Sequence, residues 1–482
     1  MKLVHLTLIG GVIGCMLTAT TFAQVYATSL NQPASVQSTA YASDSYLYFA
    51  PQDAAATDQA APPAPSKEQS SGPGCVEGCG SCEDSGCDHG CGLLGLGILG
   101  GPLGDPWTLP QPCILAERDI KVSGWLDMGI TGNADNPPSQ YNGVLAPNDR
   151  NQFQFNQAYL YMEKPLNTDE PNWDIGGRID LLYGTDWIFG QSLGLENNPD
   201  GTRKWNSGID YGLIMPQIYV NVGYGDLSLK LGHFYSIIGY ESLMPIANFF
   251  YSMNYCVRYM EATAYTGGMF TWKQSDELSI YLGGVNGQDR FDGQADTFAV
   301  IAGFDYTPEA KKYLFHFAIQ TAGQEPGILP VQGLRTYADT YLTYNLTDKY
   351  QSVTQFDYGW QDNFDLADNT ATFYSITQYL FYTINEKWKA GLRYDYTRDE
   401  QGTMLGGLRF GGQPGGNPLP LPSGNAGAVQ GVTAGVNWIP NANLRIRPEL
   451  RWDWFEGSGL PLFDDRTQNR QFTAAVDAIF TF

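Results

Sequence analysis

The chain has 482 residues, enough for one large architecture with an appendage. Its 27 basic and 50 acidic residues give a net charge of −23, which argues against nucleic acid as a partner, since phosphate binding needs clustered Lys and Arg. Charged residues make up only 16% of the chain, below the roughly 25% usual in soluble proteins; aromatics reach 13%, and four histidines (His5, His89, His233, His316) leave little for a His-built metal or catalytic centre.

Residues 1–23 read as a secretory signal peptide. Lys2 precedes an apolar run from Leu3 to Leu17, and Thr21-Phe22-Ala23 offers small residues at the cleavage positions. A competing reading is a lipoprotein box, Val12-Ile13-Gly14-Cys15, which would leave Cys15 lipidated; the apolar run continuing past Cys15 weighs against it. The segment falls short of the ~20 apolar residues that a helical span requires. Gly92 to Gly104, the best later stretch, is too short and too Gly-rich to cross a bilayer. An exported chain without helical spans is either soluble or embedded as a closed β-barrel.

Residues 24–118 form a flexible Ala/Pro/Gly-rich and Cys-rich region, expected in the periplasm. Cys75, Cys79, Cys82, Cys87 and Cys91 crowd within 17 residues, and Cys113 follows. Structural zinc sites pair two C-x₂₋₄-C arms across a spacer, and that spacer is missing here despite Cys79-x-x-Cys82 and the nearby His89. Disulfides are the favoured reading in an exported chain, with metal and untied thiols as alternatives. No cofactor and no bound metal are expected, and the isolated Cys256 reads as a plain buried or loop residue.

From Asp119 the texture changes to period-2 segments of about ten residues, the mark of strands with one apolar and one polar face. Ile120, Val122, Leu126, Met128 and Ile130 alternate with Lys121, Ser123, Trp125 and Asp127. Sixteen such segments occur between 120–131 and 470–482. Short links such as Gly225-Asp226 and Asn385-Glu386 alternate with long loops such as Gly184–Leu213 and Arg398–Ala426. Short turns on one rim and long loops on the other predict an all-β chain: a transmembrane antiparallel β-barrel of about 16 strands over 119–482. A soluble sandwich would need a second layer to cover the apolar faces, and the sequence supplies none. Tyr159, Tyr161, Tyr183, Tyr224, Trp438, Trp452 and Trp454, near strand ends, are expected in aromatic girdles at the lipid headgroups.

The polar faces then line the interior. Asp127, Arg178, Asp180, Lys389, Arg393, Asp395, Arg445, Arg447, Glu449 and Arg451 are the candidate pore-lining residues. An Arg ladder facing carboxylates would set a transverse field across the lumen; the alternative is mutual neutralisation that only stiffens the wall. The third long loop, Tyr235 to Ala262, is too apolar and aromatic for a solvated surface. It is expected to fold into the lumen as a constriction loop carrying Tyr240, Glu241, Arg258 and Glu261, or else to sit at a subunit interface.

Phe472, Ala474, Val476, Ala478, Phe480 and Phe482 share one face of the last strand. A final alternating strand ending on an aromatic resembles the signal read by the outer-membrane assembly machinery of bacterial barrels. Four strings, FQFNQAYLYMEKP (153–165), GGRIDLLYGTD (176–186), GHFYSIIGYES (232–242) and NFFYSMNY (248–255), resemble the β-barrel porin-2 (OmpL-like) family of outer-membrane porins. The resemblance covers most of Ile120 to Phe482 and implies a pore-forming protein with no catalytic residues to carry over.

Passive diffusion of small hydrophilic solutes through a water-filled barrel in outer-membrane lipid, with a homotrimer to be considered, is therefore the leading expectation. An adhesin or structural barrel anchored in the envelope is the alternative. A barrel hydrolase is a third class, but its one neighbouring pair, His233 and Ser236, lies three residues apart on a strand end and faces opposite sides. The chain is not expected to be an enzyme.

Overall fold

A computed structural model describes residues 103–482, apart from 139–141, 143–150, 168–171, 199–201, 207–209, 294–296, 327–331, 364–368, 403–404 and 406–425. The expected signal peptide, Cys15, and the disulfide candidates Cys75, Cys79, Cys82, Cys87 and Cys91 lie outside the described residues; Cys113 opens a one-turn helix, Cys113–Ala116.

The strands, in chain order, are β1 (Lys121–Asn133), β2 (Phe153–Lys164), β3 (Trp173–Gly184), β4 (Gly212–Ile214), β5 (Ile218–Tyr224), β6 (Leu227–Tyr235), β7 (Ala264–Lys273), β8 (Leu278–Val285) and β9 (Ala299–Tyr306). They continue with β10 (Tyr313–Pro326), β11 (Gln332–Asn345), β12 (Tyr350–Gln361), β13 (Ala371–Asn385), β14 (Trp388–Asp399), β15 (Gly427–Asn441), β16 (Leu444–Gly457) and β17 (Arg470–Thr481). Every pairing is antiparallel between neighbours, and β1 pairs with both β2 and β17, so the sheet closes on itself. β4 and β5 both pair with β3 and are two pieces of one stave interrupted at Met215–Gln217. The chain is thus a closed 16-strand antiparallel barrel, and closure removes the sheet edges whose unpaired backbone groups lipid could not satisfy. No helix among the described residues is long and apolar enough to cross a membrane.

Turn chemistry follows the short links. Gly225, at φ +53°, opens the two-residue hairpin between β5 and β6, where a left-handed residue matches the twist of the strands. The segment before β1 is pinned to the same rim as these turns: Trp107 exchanges two hydrogen bonds of 2.7 Å with the Asn443 side chain at the β15–β16 turn. At the seam, Phe482 and Gly124 exchange backbone hydrogen bonds of 3.0 Å. β10 and β11 run longer than their alternation indicates, which shrinks the expected loop between them to 327–331.

The two faces separate cleanly. Leu160, Ile175, Leu181, Val220, Leu231, Phe270, Leu282, Leu380, Leu392 and Leu450 are exposed on the outside, whereas inward positions of the same strands hold buried polar and charged groups. Apolar outside and polar inside is the reverse of a soluble core and suits a lipid surround.

Two girdle expectations fail. Opposite β1, the register slips at Asp127/Met128: Asp127 faces Gln157 and Met128 faces Phe155, leaving Asn156 as an extra residue. This bulge reverses the inward set of β2 from Gln154 and Asn156 to Gln157 and Tyr159. Tyr159 is buried, stacks on Trp125 at 3.9 Å between ring centroids, and donates its hydroxyl to Asp180. Tyr161 takes the Arg178 guanidinium 4.0 Å above its ring. Both belong to the lumen. Tyr183, Tyr224 and Trp452 are exposed on the outer face, and Trp438 stacks on Trp388 at 5.6 Å.

Candidate pore and its inserted segment

Strand alternation carries Arg393 and Asp395 on β14, Thr433 on β15, and Arg447, Glu449, Arg451 and Asp453 on β16 to buried inner positions; Lys389 and Arg445, nearer the short-turn rim, are half-buried. β15 sits between the two charged strands and presents Gly431 there. A Cβ at Gly431 would lie 2.9 Å from Asp453 Oδ1 and 3.1 Å from both Arg451 Nη2 and Asp395 Oδ2, so the missing side chain is the room in which these groups meet.

The Arg ladder is neutralised along its own wall. Arg451 Nε pairs with Asp453 at 2.7 Å and its Nη2 with Asp395 at 3.4 Å; Arg393 Nε reaches Asp395 at 3.3 Å. Arg447 Nε donates to Asp477 at 2.9 Å. Around the barrel, Arg178 pairs with Asp180 (2.7 Å) and Glu163 (3.3 Å). Asp127 is buried on β1 beside that seam.

Further guanidinium donors of this wall hold the segment 236–263 that joins β6 to β7. Arg393 Nη1 donates to Glu241 Oε1 (2.8 Å) and to the Ser252 carbonyl (2.7 Å). Arg451 Nη1 donates to the Met253 carbonyl (2.8 Å), and Arg447 Nη1 to the carbonyls of Pro245 and Asn248 (2.9 Å each). Arg445 reaches the Ile246 carbonyl at 3.1 Å. Glu449 complements them by accepting the amides of Tyr251 (2.9 Å) and Ser252 (3.2 Å). A segment with so little regular structure leaves backbone groups without partners, and the wall charges satisfy them.

The same segment also touches β10 to β13 and β2. Ile237 O accepts from His316 on β10, Cys256 meets Tyr337 on β11, and Gln355 on β12 donates to Glu261 at 2.7 Å. On β13, Tyr379 accepts from Asn254 at 2.8 Å; on β2, Gln157 donates to the Leu243 carbonyl at 2.8 Å. Its apolar side chains are shared out accordingly. Ile237 and Ile238 join Tyr265 and Tyr281, Leu243 and Met244 join Trp125 and Trp187, and Phe250 joins Leu314 and Val353. The segment therefore crosses the lumen instead of lying along one side.

Of the expected constriction residues, Tyr240 packs against Tyr341 and Tyr379 (5.5 and 5.0 Å) and Glu241 sits between Arg393 and the Asn254 amide. Arg258 lies 4.4 Å over the Phe189 ring, and Glu261 is buried next to Gln355. Asn254 caps the helix Tyr255–Tyr259 by accepting from Val257 N at 2.8 Å. That Asn escaped the sequence reading, although Asn ahead of a short helical run is a capping signal. So did Asp305, His316, Asp339, Gln355 and Asp357, which alternation within FDY, FHF, ADTY and TQFDY places inward.

His233 and Ser236 do not meet. His233 Nδ1 bonds Thr266 Oγ1 at 2.7 Å and its Nε2 faces Ser192 at 3.5 Å, while Ser236 Oγ accepts from Ile238 N. Outside the barrel wall, Glu196 in the loop between β3 and β4 accepts the amides of Ser192 (2.8 Å) and Met215 (3.0 Å). Burial pushes its carboxyl up to about 7, against the opposing pull of those amides.

The family described as putative beta-barrel porin-2, OmpL-like, matches residues 119–482. No curated protein matches the chain. Among solved structures, the outer-membrane channel DcaP of Acinetobacter baumannii is 11% identical with a TM-score of 0.49, covering 75% of this chain and 97% of that one. An anion-selective porin from Comamonas acidovorans is 8% identical (TM-score 0.48; 75% and 99% covered), and the trimer form of OmpT, an outer-membrane protein of Vibrio cholerae, is 10% identical (0.47; 75% and 99%).

Proposed function

The chain belongs to the β-barrel porin-2, OmpL-like family of outer-membrane porins, and from that premise we propose that it passes small hydrophilic solutes by diffusion, with segment 236–263 narrowing the path. The observation that carries this reading is the inversion of faces: charged and polar side chains inside, exposed aliphatic ones outside. A lumen lined with hydrogen-bonding groups replaces part of a solute's hydration shell; an apolar one could not. Asp127, Arg178, Asp180, Lys389, Arg393, Asp395, Arg445, Arg447, Glu449 and Arg451 are the lining in this reading, and Tyr240, Glu241, Arg258 and Glu261 the constriction. Because each buried Arg of the ladder already has a carboxylate, we expect weak ion selectivity despite the chain's net −23. Residues 24–118 would then lie in the periplasm, on the side of the short turns.

Single-channel recording in planar bilayers tests the proposal. Discrete open steps support a diffusion pore. A folded barrel that stays silent favours the second reading, an envelope anchor or adhesin, for which the crossing of the lumen by 236–263 is the supporting observation. Assembly as a homotrimer belongs to the first reading, and the mass of the unheated, detergent-solubilised protein decides it.

A further inference from the structure

Where the inserted segment meets β12, a thiol is gathered with carboxylates. Cys256, Glu261 and Asp357 are all buried and each places one ligand atom within 4.8 Å of the other two. Gln355 Nε2 holds the carboxylates together, donating to Glu261 Oε1 (2.7 Å), Asp339 Oδ1 (3.0 Å) and Asp357 Oδ1 (3.3 Å). The Tyr337 hydroxyl stands 2.9 Å from Cys256 Sγ and donates to Asp357 Oδ1 at 2.8 Å. Against three carboxylates stands the His316 imidazole, 3.8 Å from Asp339 Oδ2 and already bonded to Asp305 at 2.5 Å.

A second observation concerns the acceptor atoms. Asp357 Oδ2, Asp339 Oδ2 and Gln355 Oε1 are buried and accept no hydrogen bond. All three residues are at most 1% exposed. Buried acceptors are ordinarily satisfied, so several idle ones at a single cluster of negative groups point to a missing positive partner.

We propose that Cys256, Glu261 and Asp357, with Asp339 completing the set, bind a divalent cation of the zinc class. Ligands at roughly 2.0–2.3 Å from a tetrahedral ion lie about 3.3–3.8 Å apart, so the observed spread closes with small side-chain movements. The mixture of one sulfur with oxygens suits zinc better than calcium or magnesium, which take oxygen alone. Binding forms the sulfur–metal bond as the thiol proton leaves to solvent, with no change of oxidation state. Cys256 lies within the helix Tyr255–Tyr259 and Glu261 just past its end, both on the inserted segment, while Asp357 is on the wall, so the ion clamps that segment to β12.

The full chain, with Cys15, Cys75, Cys79, Cys82, Cys87, Cys91 and Cys113 replaced by Ser so that Cys256 is the remaining thiol, is refolded in detergent under reducing conditions. It is then titrated with cobalt(II), followed by thiolate-to-cobalt charge-transfer absorption, and the cobalt is displaced with zinc. The expected result is a band that saturates at one ion per chain, disappears on adding zinc, and requires at least tenfold more cobalt in D357N and E261Q. No band in the parent protein overturns the proposal, because protons rather than a metal then balance the cluster. A band unchanged in both variants, each shown to be folded by its heat-modifiable mobility, overturns it equally. Should neither variant fold, the parent titration decides alone: a saturable one-to-one band supports the site and its absence overturns it.

Discussion

Replacing Arg393 by Met removes the strongest tie between the barrel wall and the segment in its lumen. The guanidinium is wholly buried; it donates to Glu241 Oε1 at 2.8 Å, the Ser252 carbonyl at 2.7 Å, Ser252 Oγ at 3.1 Å and Thr433 Oγ1 at 3.2 Å. Met fills much of the volume but leaves the Glu241 carboxylate, with a side chain only 2% exposed, without its cation. Stranding one partner of a buried ion pair costs about 3–5 kcal/mol, and the orphaned Ser252 carbonyl adds about 1–3 kcal/mol. E241Q in the same protein removes the stranded charge, so the double variant recovers part of the loss, with a coupling of about 1–3 kcal/mol. Urea unfolding of the detergent-refolded barrel, read by tryptophan fluorescence in all four members of the cycle, measures this, provided the m-values agree. Single-channel conductance read on the same proteins is expected to rise in R393M as the segment loosens. A loss below about 1 kcal/mol, the range of solvated surface pairs, together with unchanged conductance, would refute the claim that the segment is seated on β14.

Other outcomes follow from the same geometry. Leu450 is exposed midway along β16, so L450R is expected to cost about 2–4 kcal/mol in lipid vesicles, whereas L460R in the following loop should stay within about 0.5 kcal/mol; parallel unfolding titrations compare them. Glu196 has a folded pKa of about 7, raised by burial from an ordinary 4.5. Its contribution to stability is therefore fully present below pH 4.5 and is lost as pH rises through 7, so the Ser192 and Met215 amides should exchange faster at pH 8 than at pH 5 after correction for intrinsic rates. E196Q should abolish that difference; the Lys204 charge nearby pulls the carboxyl the other way. At Gly239, φ is +96° and a Cβ would fall 1.8 Å from Glu261 Oε2. G239A is therefore expected to lose about 1–3 kcal/mol, measured by the midpoint of urea unfolding, while alanine at Gly132, whose Cβ would meet nothing nearer than the Ala474 carbonyl oxygen at 3.6 Å, leaves the midpoint in place.

The strands, the alternation of short turns with long loops, and the inward charges of β14 and β16 were legible in the sequence because a β-strand exposes its period of two directly. Closure into 16 staves follows from the same pattern, since apolar faces without a second layer must meet lipid. The apolar character of YSIIGYESLMPIANFFYSMNY marked segment 236–263 as unfit for a solvated surface. Tertiary structure alone decided three other matters. One extra residue at Asn156 turned Tyr159 and Tyr161 from the lipid side to the lumen, and a bulge leaves no mark in a hydropathy pattern. The Arg ladder became a set of closed ion pairs whose spare donors hold backbone carbonyls some 140–200 positions away in the chain. Cys256, an unremarkable lone thiol in the sequence, stands against Asp357 and Tyr337 from other strands. Periodicity reports which face a side chain takes, but contacts between distant segments depend on register and on the path of an irregular loop, neither of which has a local signal.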